Sequence, residues 1–443
     1  MVGPPAVAGD RRTVSDIRTG RGHLVRSVEE QLALVTAAAV APRPVRVSIS
    51  EAQGLLCAEE VVAERPLPSF DQSAIDGYAV RSVDIRVGGP ADDSADAPGG
   101  PAGLPVVGRI TAGSRQPTRL QPGQVVRVDT GAPLPTLADA VLPVGWAVAE
   151  GQRITPTRTV SSGDYVRRVG DDVQPGDVAV RAGSIIGPAQ VGLLASVGRA
   201  KVLVHPKPRM SVISVGDELL DVDGNPGTGQ VYDVNSYALT AAGRDAGADV
   251  HRVGIASTEP SRLREVLEGQ LVRSELVVVS GAAGGEATTR IRQVMEELGQ
   301  IEVNRVAMHP GSVQGFGRLG RDEVPTFLLP SNPVSALVVF EIMVRPLIRI
   351  ALGKRQPMRR TVRARTVAPI SSVEGRRGYL RGQLMRDTDT GEYLVRALGG
   401  AQGSSTHLLA SLAEANCLVV IDPDVSAVRA GDEVDVMFLA QRG

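Results

Sequence analysis

The run Met210-Ser211-Val212-Ile213-Ser214-Val215-Gly216-Asp217-Glu218-Leu219 decides the fold. Its uncharged, β-branched first part reads as a buried strand, and the glycine with two acids reads as the turn that leaves it. Outward from it the texture alternates. Residues 235–246, 261–271 and 289–298 carry helical spacing, and residues 249–255, 276–280, 303–308 and 325–329 read as strands. Residues 333–352 form a long helix pattern. Such alternation implies a parallel sheet with helices on both faces, whose ligands sit beyond the carboxyl ends of the strands. Asp217, Gly281, Pro310 and Asn332 each follow a strand in this scheme.

The flanks read differently. Residues 28–41 follow Ser27 with helical spacing and with Glu29 and Glu30 in the first turn, where the helix dipole favours acids. Residues 45–49 alternate like a strand, and residues 50–55 suggest a short helix. From about 60 to 185, short Val-rich runs (104–110, 125–128, 140–144, 177–180) between Gly and Pro predict a β-rich region. Residues 87–103 lack large apolar groups and predict a mobile loop. After a basic linker, residues 354–443 predict a small C-terminal β-barrel domain. The expected domains are therefore a disordered tail (1–26), a helical linking subdomain (27–59 with 165–203), a β-rich subdomain (60–164), an α/β domain (204–353) and the barrel.

Composition excludes more than it assigns. The formal net charge of −1 gives no pull toward nucleic acid or membrane. No apolar stretch approaches the length of a membrane span, so no membrane insertion is expected. Cys57 and Cys417 are far apart in the chain, and His23, His205, His251, His309 and His407 are scattered, which argues against a structural zinc site and for a reducing, cytoplasmic setting. The segment before Ser27 holds five arginines but no apolar core, unlike a signal peptide.

Several short motifs carry chemistry. Phe70-Asp71-Gln72-Ser73-Ala74-Ile75-Asp76-Gly77-Tyr78-Ala79-Val80 makes a tight polar turn displaying one carboxylate, although Asp-Gly alone is an ordinary turn pair. Thr130-Gly131-Ala132-Pro133 and Arg167-Arg168 with Gly170-Asp171-Asp172 are further turn motifs. Asp217 and Glu218 stand where acids can hold a divalent ion or accept from a heterocycle. Asp233 or Asn235 can cap the helix that follows. Pro310-Gly311-Ser312 and Pro330-Ser331-Asn332-Pro333-Val334-Ser335 offer amides to an anion, while Asn332-Pro333 also suits a plain helix start.

Together these segments resemble the molybdopterin molybdotransferases, the family that includes the C-terminal domain of gephyrin, over about residues 27–443. The resemblance implies a multi-domain, elongated α/β plus β chain that forms a homodimer. It implies insertion of molybdate into adenylylated molybdopterin, with Mg2+-dependent release of AMP. Asp76, Glu218 and Glu286 become catalytic candidates. Thr130, Gly131, Asp217, Asp233, Asn235, Ser280, Gly281, Pro310, Gly311, Asn332, Pro333 and Ser335 become cofactor-binding candidates. Asp217 and Glu218 are the metal candidates. Arg376 and a hydroxyl among Ser404, Ser405 and Thr406, with Ser405 preferred, are the molybdate candidates, because an arginine fork suits a tetrahedral oxyanion.

The chain departs from the family pattern at two places. Ser280-Gly281-Ala282-Ala283-Gly284-Gly285-Glu286 lacks the family's aspartate, and Glu286 is the nearest acid. His309-Pro310-Gly311-Ser312 lacks both lysines of the family's lysine-proline-glycine-lysine run, and Ser331 stands where the family has glycine. A second function therefore stays open beside the transferase: a gephyrin-like dimeric scaffold that holds a linear peptide of a cytoskeletal, cell-division or membrane-receptor partner.

Overall fold

The computed structural model describes residues 25–87, 103–115, 119–281, 286–399 and 409–439. The expected tail up to residue 24, most of the 87–103 loop and the 404–406 hydroxyls lie outside the described residues. The chain divides into two compact units, residues 45–204 and residues 1–44 with 205–443.

The larger unit is built on a seven-stranded sheet. Its strand order is Val25–Arg26, Gly299–Val306, Val313–Leu319, Val324–Leu329, Leu276–Ser280, Arg209–Val215, Asp249–Ala256. The last four run parallel, as the alternation predicted. All five residues of Leu276–Ser280 are buried, which fits a parallel strand covered on both faces. The rest of the sheet corrects the expectation of a wholly parallel one. Val313–Leu319 pairs antiparallel with both Gly299–Val306 and Val324–Leu329. The connections there are a handful of residues, too short for the crossover that a parallel pair needs. The expected tail also ends earlier than residue 26, because Val25–Arg26 pairs with Arg305 and Val306.

Helices cover the sheet through two apolar clusters, one centred on Met210, Phe327 and Phe340, the other on Ile213, Leu263 and Ile291. The N-terminal helix Val28–Thr36 belongs to the first. Ser27 Oγ accepts from Glu30 N at 3.1 Å and Glu30 accepts from Ser27 N at 2.9 Å, a closed capping box. Val28 and Val35 then pack into the α/β core rather than with residues 45–59. The helix that starts at Pro333 continues to Ala351 through a π segment, Phe340–Val344.

The C-terminal strands Thr361–Thr366, Arg377–Arg386, Tyr393–Ala397, Cys417–Ile421 and Glu433–Phe438 close into a five-stranded barrel, with Met308–His309 added in parallel to Arg377–Arg386. That pairing ties the barrel to the α/β sheet, and Arg377 reinforces it with ion pairs to Glu29 and Asp422.

The smaller unit holds a six-stranded sheet around Gly77–Val80, and a three-stranded sheet of Val45–Ser48, Lys201–His205 and Leu56–Cys57 packed with the helix Pro188–Ser196. Residues 50–55 form turns instead of the expected helix, because Ser48 and Ser50 share a hydrogen bond and Glu51 N closes onto Ser48 O.

Candidate functional site

The carboxyl ends of Arg209–Val215 and Leu276–Ser280 open onto a cavity of about 320 Å3. Ser214, Glu218, Asn235, Ser280, Gly281 and Ser331 contribute to its lining. The turn after Leu276–Ser280 demands glycine. Gly281 has φ of +90°, and a Cβ there would lie 2.3 Å from Val215 O. Asn235 bridges two sides of the cavity: its Nδ2 donates to Ser280 Oγ at 2.6 Å and to Ser331 O at 2.8 Å. Its Oδ1 is buried and has no hydrogen-bond partner. An unpaired buried acceptor is costly, and a ligand N–H would satisfy it.

The acids around this cavity divide their work. Asp233 is 1% exposed. Its Oδ1 accepts from Ser214 Oγ at 2.7 Å and Ser236 N at 3.0 Å, and its Oδ2 accepts from Ser236 Oγ. Asp233 therefore caps the helix Asn235–Ala246 and locks it to the Arg209–Val215 strand. Asp217 turns toward another loop. It accepts from Ser257 Oγ, Thr258 N and Thr258 Oγ1, and the Thr258 hydroxyl, then its amide, hold the carboxyl below the usual range. Glu218 lines the cavity, and its carboxylate lies over Gly216, where a Cβ would meet both oxygens at 2.8 Å. The expected strand-to-helix turn is longer than read: a parallel pair, Leu219–Leu220 with Val231–Tyr232, intervenes before the helix.

Asn332 and Ser335 serve a helix start. Asn332 Oδ1 accepts from Ser335 N at 3.0 Å, and Pro333 fills the first helical position. Pro333 still lines the first cavity, and the next residue, Val334, lines a second one of about 230 Å3. His309, Pro310, Tyr379, Arg381 and Arg396 also line this second cavity. Gly311 has φ of +91° and packs so closely on Val339 that a Cβ would lie 2.4 Å from its Cγ2. Arg381 is 8% exposed, and burial pulls it below the ordinary arginine value. Burial, and then the Arg376 charge, push the His309 imidazole below its ordinary value.

Arg376 itself is not among the residues lining the cavity. Sequence reasoning singled out Arg376 and did not name Arg381 or Arg396, the two arginines that line this cavity. Alternation along the strand gave no signal, because Tyr379, Leu380 and Arg381 all line the cavity while Arg377 does not. Arg396 comes from the neighbouring strand, paired to Gln383. Glu286 opens the helix Glu286–Leu298, but its side chain lies outside the described residues. Ser405 does as well.

Asp76, Thr130 and Gly131 come together in the smaller unit. Asp76 Oδ1 accepts from Thr130 N at 2.7 Å and from Thr130 Oγ1 at 2.8 Å. These two bonds hold the exposed Asp76 carboxyl below the usual range, with the charges of Arg127 and Arg109 adding to them. Gly77 is required next to it, because a Cβ would meet Leu142 O at 2.5 Å.

Among the described residues no group of three or more His, Cys, Asp or Glu converges as a metal site. Glu218 is the one metal candidate that faces the first cavity. That donor set fits magnesium in the manner of a phosphate-bound ion, with one protein carboxylate and the remaining ligands from water and substrate.

Comparison with known proteins agrees with this architecture. Residues 26–198 match the MoeA N-terminal region (domains I and II), residues 211–350 a probable molybdopterin binding domain, and residues 363–439 the MoeA C-terminal region (domain IV). The chain is 67% identical over 426 residues to molybdopterin molybdenumtransferase 1 of Mycobacterium tuberculosis, covering 95% of this chain and 100% of that protein. It is 36% identical to molybdopterin molybdenumtransferase 2 of the same organism, covering 94% of this chain and all of that one. A crystal structure of a molybdopterin biosynthesis MoeA protein from Pyrococcus horikosii superimposes with a TM-score of 0.76 at 29% identity, covering 94% of this chain and 100% of that one. Matched over nearly all of its length by these relatives and carrying all three family regions in order, the chain belongs to the MoeA family of molybdopterin molybdenumtransferases.

Proposed function

We propose that this protein inserts molybdate into adenylylated molybdopterin and releases AMP, a step of molybdenum cofactor biosynthesis in the cytoplasm. The observation that carries the reading is the pair of cavities at the start of one helix. The first offers a pterin-sized space with the unpaired Asn235 Oδ1, suited to a ring N–H. The second presents Arg381 and Arg396, suited to a tetrahedral dianion. Ser331 and Pro333 border one and Val334 the other, so a ligand spanning both would pass the same backbone. The two arginines also answer the loss of the family lysines at His309 and Ser312. The positive charge is carried by the barrel strands instead.

In this reading Asn235 and Ser280 orient the pterin, Arg381 and Arg396 hold molybdate, and Glu218 is the protein ligand of magnesium. A bound magnesium ion would neutralise charge on the phosphate link. Glu286 replaces the family aspartate here, and Asp76 with Thr130 stays a separate polar turn within the smaller unit. A homodimer is part of the proposal and is testable by analytical ultracentrifugation. A purely scaffolding role that holds a linear peptide is the weaker reading, because relatives matching the whole chain are transferases by name.

The test is AMP release from adenylylated molybdopterin with molybdate and magnesium. Molybdate-dependent release, reduced in Arg381→Gln, supports the proposal. A protein that binds the adenylylated substrate but releases no AMP at any molybdate concentration would rule it out.

A further inference from the structure

The second cavity holds one titratable group that changes charge near neutral pH. His309 sits at the end of the two-residue strand Met308–His309, opposite Gly378 of the barrel. It lines the same cavity as Arg381 and Arg396. The other surroundings carry no negative charge among the described lining residues: Val334 from the helix, Ile370 and Ser371 from the adjacent short strand, and Tyr379 from the barrel. Arg376 acts on the imidazole from the same hairpin. The ring is half-buried with no acid partner among the described residues, so its charge state is set by solvent exclusion, by Arg376 and by whatever anion enters.

We propose that His309 is a specificity-determining contact for the tetrahedral oxyanion: neutral, it donates one N–H, and protonated, it adds a third positive charge beside Arg381 and Arg396. The inference rests on the reading that this cavity takes molybdate. It makes oxyanion affinity rise as pH falls, with one proton taken up on binding below neutrality. Burial and Arg376 keep the ring neutral without ligand, and a dianion would reverse that balance. A permanent ammonium at this position would bind with no such dependence.

The experiment is calorimetric binding of micromolar molybdate to the full chain between about pH 8 and about pH 5, across the range where an imidazole held below its ordinary value titrates. Sulfate serves as a competing dianion whose own charge is constant over that range. If anion binding raises the imidazole pKa by about one unit, wild-type affinity gains about tenfold across the titration. His309→Gln keeps a donor but should lose the slope, and His309→Lys should bind tightly with no slope. A His309→Gln protein that retains the wild-type pH dependence overturns the proposal. If in that case Arg381→Gln has lost binding, the cavity reading stands and only the role of His309 falls. If the wild type binds no molybdate, the cavity reading itself fails and His309 falls with it.

Discussion

Asp233→Ala is the perturbation that best separates scaffold from ligand contact at the first cavity. The side chain is 1% exposed and accepts three hydrogen bonds, from Ser214 Oγ, Ser236 N and Ser236 Oγ. Losing the amide bond at a helix start costs about 1 kcal/mol. Losing two hydroxyl bonds to a carboxylate, and leaving the buried Ser214 Oγ without its acceptor, adds about 2–3 kcal/mol. The expected destabilisation is therefore about 3–4 kcal/mol, or a fall of about 10 °C in the melting temperature of the larger unit. Asp233→Asn keeps an acceptor for Ser214 and Ser236 N, and its new amide donor faces Ser236 Oγ, which already accepts from Arg252 Nη1. It should cost only about 1 kcal/mol. The chain has one tryptophan, Trp146, which lies in the smaller unit, so its fluorescence does not report this helix. Hydrogen exchange of the amides in Asn235–Ala246, with calorimetry, does. If Asp233→Ala melts within about 1 kcal/mol of the wild type, yet loses substrate binding, Asp233 is a ligand contact and the capping argument is wrong.

Other outcomes follow from the same geometry. Gly281→Ala should destabilise by about 2–3 kcal/mol, since it combines positive φ with a 2.3 Å clash on Val215 O, and a thermal shift within error of the wild type would refute the required turn. Arg381→Gln should lower kcat/KM for molybdate by about 10–100-fold with little change in affinity for adenylylated molybdopterin, and equal losses in both would place the residue elsewhere. Glu341→Gln should cost about 3 kcal/mol in chemical denaturation, because it strands Arg345 and Arg359, whose side chains are 10% exposed, and leaves Asp245 to answer for both. Thr130→Val should raise the Asp76 pKa toward the ordinary carboxylate value without reaching it, since the Thr130 amide bond remains. The sign follows: a depressed carboxyl stabilises the fold above its unfolded pKa, and that contribution disappears as pH falls through the folded value, so acid unfolding of Thr130→Val should shift less with pH. Carboxyl-carbon NMR of Asp76 reads this directly.

Much of the fold was legible because it rests on local rules. Alternating periodicities marked the four parallel strands and the helix Asn235–Ala246, and Ser27 with Glu29 and Glu30 marked the start of the N-terminal helix. The antiparallel excursion of Gly299–Val306 and Val313–Leu319 was not legible, because a strand's partner and direction depend on what lies beside it in space. The candidate site divides in the same way. The Asn332-Pro333 helix start follows from backbone sterics that a motif carries by itself, whereas glycines at 77, 281 and 311 also answer to distant groups, Leu142 O, Val215 O and Val339 Cγ2.

Which acid faces a cavity is a different kind of fact. Asp217, Glu218 and Asp233 look alike in the sequence, yet Thr258 claims the first and Ser214 with Ser236 the third. Asp233 lines the cavity as well, but its oxygens are taken by those serines, which leaves Glu218 as the metal candidate that lines it. Arg376 and Arg381 are five residues apart, one just before the strand Arg377–Arg386 and one within it, and only Arg381 lines the cavity. The sequence by itself determined the alternating core and the helix starts, because those depend on near neighbours in the chain, and its motifs carried the family. The partners of each charge, and which cations line the second cavity beside His309, were decided only by the tertiary structure, where the Met308–His309 strand pairs with the barrel.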